Sequence, residues 1–547
     1  MKPVDTARDL VSSATKQLSG ARALARAGAL PVRPDVMMRT ALAARRWGAT
    51  VAAGVAMNSM RYPDDVALVD DRSSLTWRDL HRRSNALAHV LADRGVRPRQ
   101  AVALMCRNHR GFVEALLAVS KLGADAVFLN TGFAGPQLRE VLEREGVVAA
   151  VYDEEFGHLF GEAGFDGPHL LAWTDSDEID GDTIDAVIAS GDVSDLEPPA
   201  RPGRTVILTS GTTGTPKGAQ RNAPSNPLSE VNAALSRIPL RAREPIVVAP
   251  PLFHGLGYGF VGFSLMMAAP ALVRRRFDPE LTLADIARHR ATTMVVVPVM
   301  LRRILELPDA VRRRYDTSSL RVVVCSGAAL PTELAQRFLD EFGDVLYNFY
   351  GTTEAAWAAV ATPTDLREAP GTVGRPPQGT RIVLLDDDNN EVAQGAHGRI
   401  FVGNDLLFEG YTGGDNKEFV EGLVSTGDVG WFDDDGRLFV EGRDDDMIVS
   451  GGENVFPGEV EELLSTHDAV REVAVVGVED DEMGQRLAAF VVPANGSPDV
   501  EELRSFVKQN LANYKVPRDI QIVDELPRTE TGKVLRRELR GASDVER

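Results

Sequence analysis

Only two cysteines occur in 547 residues, Cys106 and Cys325, each inside an apolar run. That excludes a disulfide framework and the small secreted folds that rely on one; two buried free thiols are expected instead. Long hydrophobic runs are missing as well. No stretch approaches the roughly 18 apolar residues of a membrane-spanning helix, and the first residues lack an apolar stretch followed by a small-residue cleavage site, so no secretory leader is expected. Positive charge is in deficit: 60 Lys and Arg against 80 Asp and Glu leave a net charge of −20, which argues against nucleic acid as a partner. No internal repeat is visible. A cytoplasmic protein of more than one domain is the expectation at this length.

What is present is unevenly spread. Residues 1–61 carry ten Lys or Arg and three Asp, a net of +7, so the remainder carries −27. Leu10, Val11, Leu18, Leu24, Met37, Met38 and Leu42 alternate with Arg22, Arg26, Arg39, Arg45 and Arg46 in this basic arm. Such a pattern suits a helical arm packed on the protein's own surface, or one lying on an anionic membrane at its inner face through residues 1–50. From residue 62, short Val/Ala/Leu runs (101–104, 126–129, 147–152, 294–297, 322–325) alternate with helical segments, as in a buried parallel sheet. The segment 174–202 is acidic, ends in prolines and is expected to be a surface connection. Residues 379–441 are turn-rich, with Asp386–Asn390 and Asp433–Gly436 as hairpin turns, and predict a small β subdomain within a domain spanning 62–442. Residues 443–446 form a charged linker, and 447–547 predict a separate α+β domain. The fold class is therefore α/β, with a large N-terminal domain and a small C-terminal one.

Four motifs carry chemistry. The run Thr209-Ser210-Gly211-Thr212-Thr213-Gly214-Thr215-Pro216-Lys217-Gly218 follows an apolar strand. Its glycines permit close approach of backbone N–H groups to an anion, and its hydroxyls and lysine add donors. It is not a P-loop, because Gly218 stands where Ser or Thr should hold magnesium. Asn348-Phe349-Tyr350-Gly351-Thr352-Thr353-Glu354 sets an aromatic ring beside a glycine, a hydroxyl and a carboxylate. That set suits a purine, a phosphate and Mg2+; an aromatic core residue before a polar turn explains it equally well on its own. Ser425-Thr426-Gly427-Asp428 and Glu441-Gly442-Arg443 supply a carboxylate for ribose hydroxyls and a guanidinium for ribose or phosphate oxygens, or else a structural Asp–Arg pair. Pro527 to Arg537 places Lys533 on a Thr-Gly turn.

The order and wording of these motifs resemble the adenylate-forming superfamily over residues 62–540, and its bacterial fatty acyl-CoA synthetases in particular. The resemblance implies that residues 209–217 cover the ATP phosphates, that Gly327 and Ala328 lie along the adenine and that Tyr350 stacks on it. It implies further that Thr353 contacts the α-phosphate, Glu354 holds Mg2+, and Asp428 and Arg443 bind the ribose. Lys533, with Thr209, Thr353 and Glu354, would stabilise charge as pyrophosphate leaves. Asp445 would be the hinge about which the C-terminal domain turns, and Gly451 would then line the pantetheine path. His254, in Pro251-Leu252-Phe253-His254-Gly255-Leu256-Gly257, would stand at the acyl pocket. Gly255 and Gly259 would leave room for an acyl chain, or else serve close helix packing. The implied reaction turns a fatty acid, of medium to long chain, with ATP and CoA into acyl-CoA, AMP and pyrophosphate. Alternatives are a fatty acyl-AMP ligase that hands its adenylate to a carrier protein, and an idle nucleotide-binding, membrane-associated protein; intact Lys533 and Glu354 argue against the latter. A homodimer is left open. Gln220-Arg221-Asn222, Gly398-Arg399-Ile400 and Gly410-Tyr411-Thr412 depart from the family's usual wording and put the branch in doubt more than the reaction.

Overall fold

A computed structural model describes residues 22–29, 34–48, 50–176, 181–209, 217–221, 228–412, 414, 416–450, 453–480, 484–494, 496, 498–529 and 532–545. Four sheets organise these residues. The first runs, in spatial order, through Ala359–Ala361, Leu346–Tyr350, Val322–Cys325, Thr293–Val296, Ile246–Val248, Ala271–Leu272, Val66–Val69 and Ser74–Thr76. Its six inner strands are parallel, and an antiparallel strand closes each edge. Val322 to Cys325 are all buried, as expected of a strand covered on both faces, so no polar residue interrupts them.

The second sheet orders Tyr411–Thr412, Lys217–Arg221, Thr205–Thr209, Asp125–Phe128, Ala101–Met105, Val147–Asp153 and His169–Trp173. Here the last five are parallel. Asn108 ties the two sheets together: its amide donates to the carbonyls of Ala249 (3.2 Å) and Pro250 (2.9 Å) and accepts from the Leu252 amide at 2.9 Å. These contacts are buried, so losing the side chain would strand three backbone groups, each at a cost of about 1–3 kcal/mol. Ligands of open parallel sheets bind beyond the carboxyl ends of the strands, and Thr209, His254, Ser326 and Tyr350 all lie at or just beyond such ends.

The third sheet is antiparallel: Arg381–Leu385, Gly398–Gly403, Leu423–Phe432 and Phe419–Val420, with Leu438–Arg443 paired to the long strand. The short 3-10 turn Asp444–Asp446 follows it. In the fourth sheet Val470–Asp480 and Gly484–Pro493 form a long antiparallel pair. Alternation sends Val475, Val491 and Leu487 toward the Pro457–Ser465 and Val500–Asn510 helices, and Ala474, Val476, Val478 and Phe490 toward Leu539 of the C-terminal helix. This is period-2 patterning buried on both faces.

The α/β class with a large and a small part is as expected, and Cys106 and Cys325 are buried free thiols. The described residues of the acidic segment 174–202 lie mostly at the surface, as expected, and they include the short helix Ile184–Ser190, capped by the Thr183 hydroxyl. Two apolar residues, Ile184 and Ile188, one helical turn apart, bury that helix; the acids and prolines around them masked the short period. Among the described residues no helix is long and apolar enough to cross a membrane.

Candidate active site

Strand ends bring the candidate residues to one cleft. Tyr350 closes its strand, and the chain turns back at once so that the Ala358 amide reaches the Tyr350 carbonyl. The turn is tight: a Cβ on Gly351 would stand 1.8 Å from the Ala356 carbonyl oxygen. Glycine is therefore required by space. Ala356 takes a left-handed φ of 56° to complete the turn, a conformation that costs a residue with a Cβ about 1–2 kcal/mol. This turn presents half-buried Thr353 and buried Glu354. One Glu354 oxygen accepts the Tyr411 hydroxyl, which holds the carboxylate in place. The ammonium of Lys217 stands 5.7 Å from the centroid of the same Tyr411 ring.

The third sheet delivers the opposing carboxylate. Asp428 pairs directly with Arg443 in strand register, and the Arg443 Nε stands 3.8 Å from Asp428 Oδ1. The Tyr350 hydroxyl donates to Asp428 Oδ2 at 2.5 Å. Burial raises the Asp428 pKa, against the Tyr350 hydrogen bond and the charges of Arg443, Lys417 and Lys533, which lower it. Before it, Gly427 adopts φ 78°, and the place its Cβ would take lies 3.0 Å from Lys417 Nζ and 3.2 Å from Arg443 Nη2. Two cations thus border the open side of the Asp428 carboxylate.

Lys533 arrives from the fourth sheet's side. The Gly532 amide donates to the Thr529 carbonyl, the Lys533 amide to the Thr529 hydroxyl at 3.1 Å, and Arg528 pairs with Val534 across the turn. Gly532 takes φ 79°, and its missing Cβ is opposed at 2.7 Å by Val299 of the Pro298–Leu305 helix. Lys533 as a residue is exposed, and protein atoms crowd its ammonium. That crowding lowers its pKa first and the Arg443 charge second; Asp428 and Glu354 act the other way. Lys533 therefore shares the field of all three residues. His254 belongs to the same field: burial and then Lys533 bring its pKa down to about 3, so the ring is neutral. It sits at the N-terminus of the Gly255–Met267 helix, and its buried Nε2 has no hydrogen-bond partner.

The fold thus gathers Tyr350, Gly351, Thr353, Glu354, Asp428, Arg443, Lys533 and His254, with Lys217 behind Tyr411. Gly327, at φ 93°, and Ala328 follow the neighbouring strand end. Gly255 and Gly259 lie on the His254 helix. Ser210, Gly211, Thr212, Thr213, Gly214 and Gly451 lie outside the described residues, and Thr209 is described only as the end of its strand. Asp445 falls in the 3-10 turn after Arg443. Two residues escaped sequence reasoning. Lys417 carries no motif, and only the register of the third sheet brings it beside Gly427. Tyr411 stands in a segment read as a departure, yet it is the partner of Glu354. A further buried cluster, Cys106, His109 and Asp153, is poorly suited to a metal: His109 Nε2 bonds Asp153 and Nδ1 accepts the Gly111 amide, so both ring nitrogens are engaged.

The donor set fits a magnesium nucleotide. Carboxylate oxygens for the cation come from Glu354, an acceptor for sugar hydroxyls from Asp428, and positive charge for phosphates from Arg443, Lys417 and Lys533. Comparison with known proteins agrees with that chemistry. The family described as AMP-binding enzyme matches residues 55–412, and the AMP-binding enzyme C-terminal domain matches residues 459–533. The chain is 34% identical over 486 residues to a feruloyl-CoA synthase of an Amycolatopsis species, covering 87% of this chain and 96% of that one. It is 30% identical over 513 residues to the fatty acid–[acyl-carrier-protein] ligase ScoC of Streptomyces coeruleorubidus, covering 90% and 96%. The o-succinylbenzoate coenzyme A synthetase of Bacillus subtilis, solved with ATP and a magnesium ion, superposes with a TM-score of 0.77 at 28% identity over 89% of this chain and 98% of that one. The chain belongs to the family of AMP-binding enzymes.

Proposed function

We propose that the enzyme activates a carboxylic acid with ATP and transfers the acyl group to CoA, releasing AMP and pyrophosphate; it is an AMP-forming acid–thiol ligase. The observation that carries this reading is the position of Lys533, brought by the small domain into the field of Glu354, Asp428 and Arg443. In the first half reaction a carboxylate oxygen attacks the α-phosphorus, and the bond to pyrophosphate breaks. Lys533 faces the oxygens that gain charge, and Arg443 orients the nucleotide with Asp428. Glu354, held by Tyr411, would hold magnesium, which supplies charge neutralisation at the phosphates when bound. In the second half the CoA sulfur attacks the acyl carbon and AMP leaves. His254, neutral at working pH, borders that carbon without competing for a proton. Turning about Asp445 would withdraw Lys533 and bring Gly451 to the thiol path.

For the acid, an aryl carboxylate is favoured over a long acyl chain. Rings crowd the region beside the His254 helix: Phe260 lies 6.4 Å from Trp357, and Trp357 stacks on Phe349 at 4.1 Å. Glycines on that helix play two parts. A Cβ on Gly257 would strike the Pro251 carbonyl at 2.3 Å, whereas Gly255 and Gly262 have open space beside them. The likeness to a feruloyl-CoA synthase supports the aryl reading. The likeness to ScoC supports the second reading, a medium or long fatty acid, handed to CoA or to a carrier protein. Thioester formation over ferulate, o-succinylbenzoate, dodecanoate and hexadecanoate, with CoA or a holo carrier protein as acceptor, decides between them. Best turnover on the aryl acids with CoA is expected; best turnover on hexadecanoate or with the carrier overturns the aryl reading.

The arm supports peripheral contact with an anionic membrane as a separate part of the proposal. Met38 and Leu42 are 65% and 54% exposed, one helical turn apart, beside exposed Arg45 and Arg46. Sedimentation with phosphatidylglycerol vesicles should fall for Met38→Glu/Leu42→Glu; unchanged sedimentation contradicts it.

A further inference from the structure

Lys533 reaches the cleft on a turn shaped by local hydrogen bonds among Arg528, Thr529, Gly532 and Lys533, and contacts with the large domain fix its place. One short helix makes two contacts with the small domain. At its first turn, Val299 fills the space left by the absent Cβ of Gly532. Three residues on, and so on the same face, Arg302 Nη1 donates to the Arg471 carbonyl at 2.7 Å and lies 3.2 Å from Glu472 Oε1. The second Glu472 oxygen accepts Arg528 Nη2 at 2.6 Å, and Arg528 Nη1 donates to the Gly532 carbonyl at 2.6 Å. A continuous path thus runs from the large domain through Arg302, Glu472 and Arg528 to the residue before Lys533. The strand is adapted to it: pairing shifts register between Val470 and Glu472, so Arg471 is the extra residue of a bulge. Bulges re-aim side chains and release backbone groups from the ladder, and here the released carbonyl meets Arg302. Side chains in the path are well sheltered, at 22% exposed for Arg302, 16% for Glu472 and 27% for Arg528, so the ion pairs are screened less than surface ones.

We propose that Arg302, Glu472 and Arg528 form a latch between the domains that holds the Lys533 turn in its adenylating position, with Arg302 as a positioning residue for the first half reaction alone. The latch rests on the acid–thiol ligase reading, since only a two-step enzyme needs a pose that must later be released. Breaking the path at Arg302 leaves Lys533 and the nucleotide groups untouched and loosens the domain that carries the lysine.

The test uses the full-length protein with spin labels at Asp340→Cys and Glu502→Cys; both parent side chains are exposed, at 68% and 67%. The two natural cysteines are buried, so labelling is selective. Wild type should give one narrow inter-label distance with ATP and magnesium, and Arg302→Ala a broad one. Acid-dependent pyrophosphate release should fall about tenfold, the scale of one lost charged hydrogen bond. Acyl transfer to CoA from supplied acyl-adenylate should stay within about twofold, and Arg302→Lys should recover part of the first step. Adding Glu472→Gln to Arg302→Ala should slow the first step no further, because both break one path. An unchanged distance distribution, or a parallel fall in both half reactions, overturns the latch. If wild type releases no pyrophosphate with any acid while Arg302→Ala still broadens the distance, the latch stands and the ligase reading falls.

Discussion

The two sides of the cleft are held in different ways. Tyr350, Glu354, Asp428 and Arg443 are fixed by strand pairing and by short contacts between buried groups, so their geometry is set when the large part of the chain folds. Lys533 sits on a turn whose internal bonds determine its shape but not its place. Its place comes from Val299 and the Arg302–Glu472–Arg528 path. The contrast teaches that one site can be rigid in its nucleotide half and adjustable in its charge-stabilising half. A two-step reaction needs that combination, since the lysine must leave while the nucleotide stays.

Changes on the fixed side should lower nucleotide use whatever the domain pose. Asp428→Ala removes a buried carboxylate flanked by Arg443 and Lys417 and is expected to cut kcat/KM for ATP by about a hundredfold or more, the cost of leaving such charges unpaired. Equal kcat/KM would place the nucleotide elsewhere. Gly532→Ala acts on the adjustable side. The added Cβ meets Val299 at 2.7 Å in a left-handed backbone position, and the turn must shift; about a tenfold loss in the first half reaction is expected, comparable to 1–2 kcal/mol of strain. A similar loss in thioester formation from supplied adenylate would show that the two sides are not separable. Tyr350→Phe keeps the ring and removes one hydrogen bond to Asp428, so KM for ATP should rise by a few-fold, about 1 kcal/mol, with the first-half rate constant at saturating ATP nearly unchanged.

Two lysines sharpen the contrast further. Lys121 is sealed between helices, donating to the His81 carbonyl, Ser84 Oγ and Asn85 Oδ1. Burial brings its pKa down from 10.5 to about 7, with Asp195 opposing. Between about pH 7 and 10.5 the unfolded chain holds a proton there that the folded chain does not, so this group makes stability rise with pH by up to about 1.4 kcal/mol per unit. Lys121→Met should flatten that part of the stability curve in denaturant titrations. An unchanged slope would mean that the ammonium is hydrated in the folded state. Lys533, whose pKa burial also lowers, should act on the curve in the same direction, and its removal should in addition cut the rate.

Much of this was legible from sequence, and the limits have physical causes. Parallel strands announce themselves as unbroken apolar runs such as Val322–Cys325, and a glycine needed for space, such as Gly351, stands inside a recognisable motif. Tyr411 and Arg302 carry no local signal, because each gains its role from a segment far along the chain, Glu354 and Glu472; Lys417 lies ten residues from Gly427 but in no recognisable motif. The helix Ile184–Ser190 was hidden by the acids and prolines around two buried isoleucines. The choice of acid was obscured for a related reason. Glycines 255, 257, 259 and 262 look alike in sequence, and only packing separates Gly257, pressed on Pro251, from the open Gly255 and Gly262.

The central claim is that a lysine carried by the small domain serves the first half reaction of a site built by the large one. Acid-dependent ATP–pyrophosphate exchange by wild type and Lys533→Ala, alongside thioester formation from supplied acyl-adenylate, tests it most directly. The account predicts a loss of about a hundredfold or more in exchange, the scale of removing a preorganised charge-stabilising group, with little change in thioester formation. Equal exchange rates in the two proteins would contradict it.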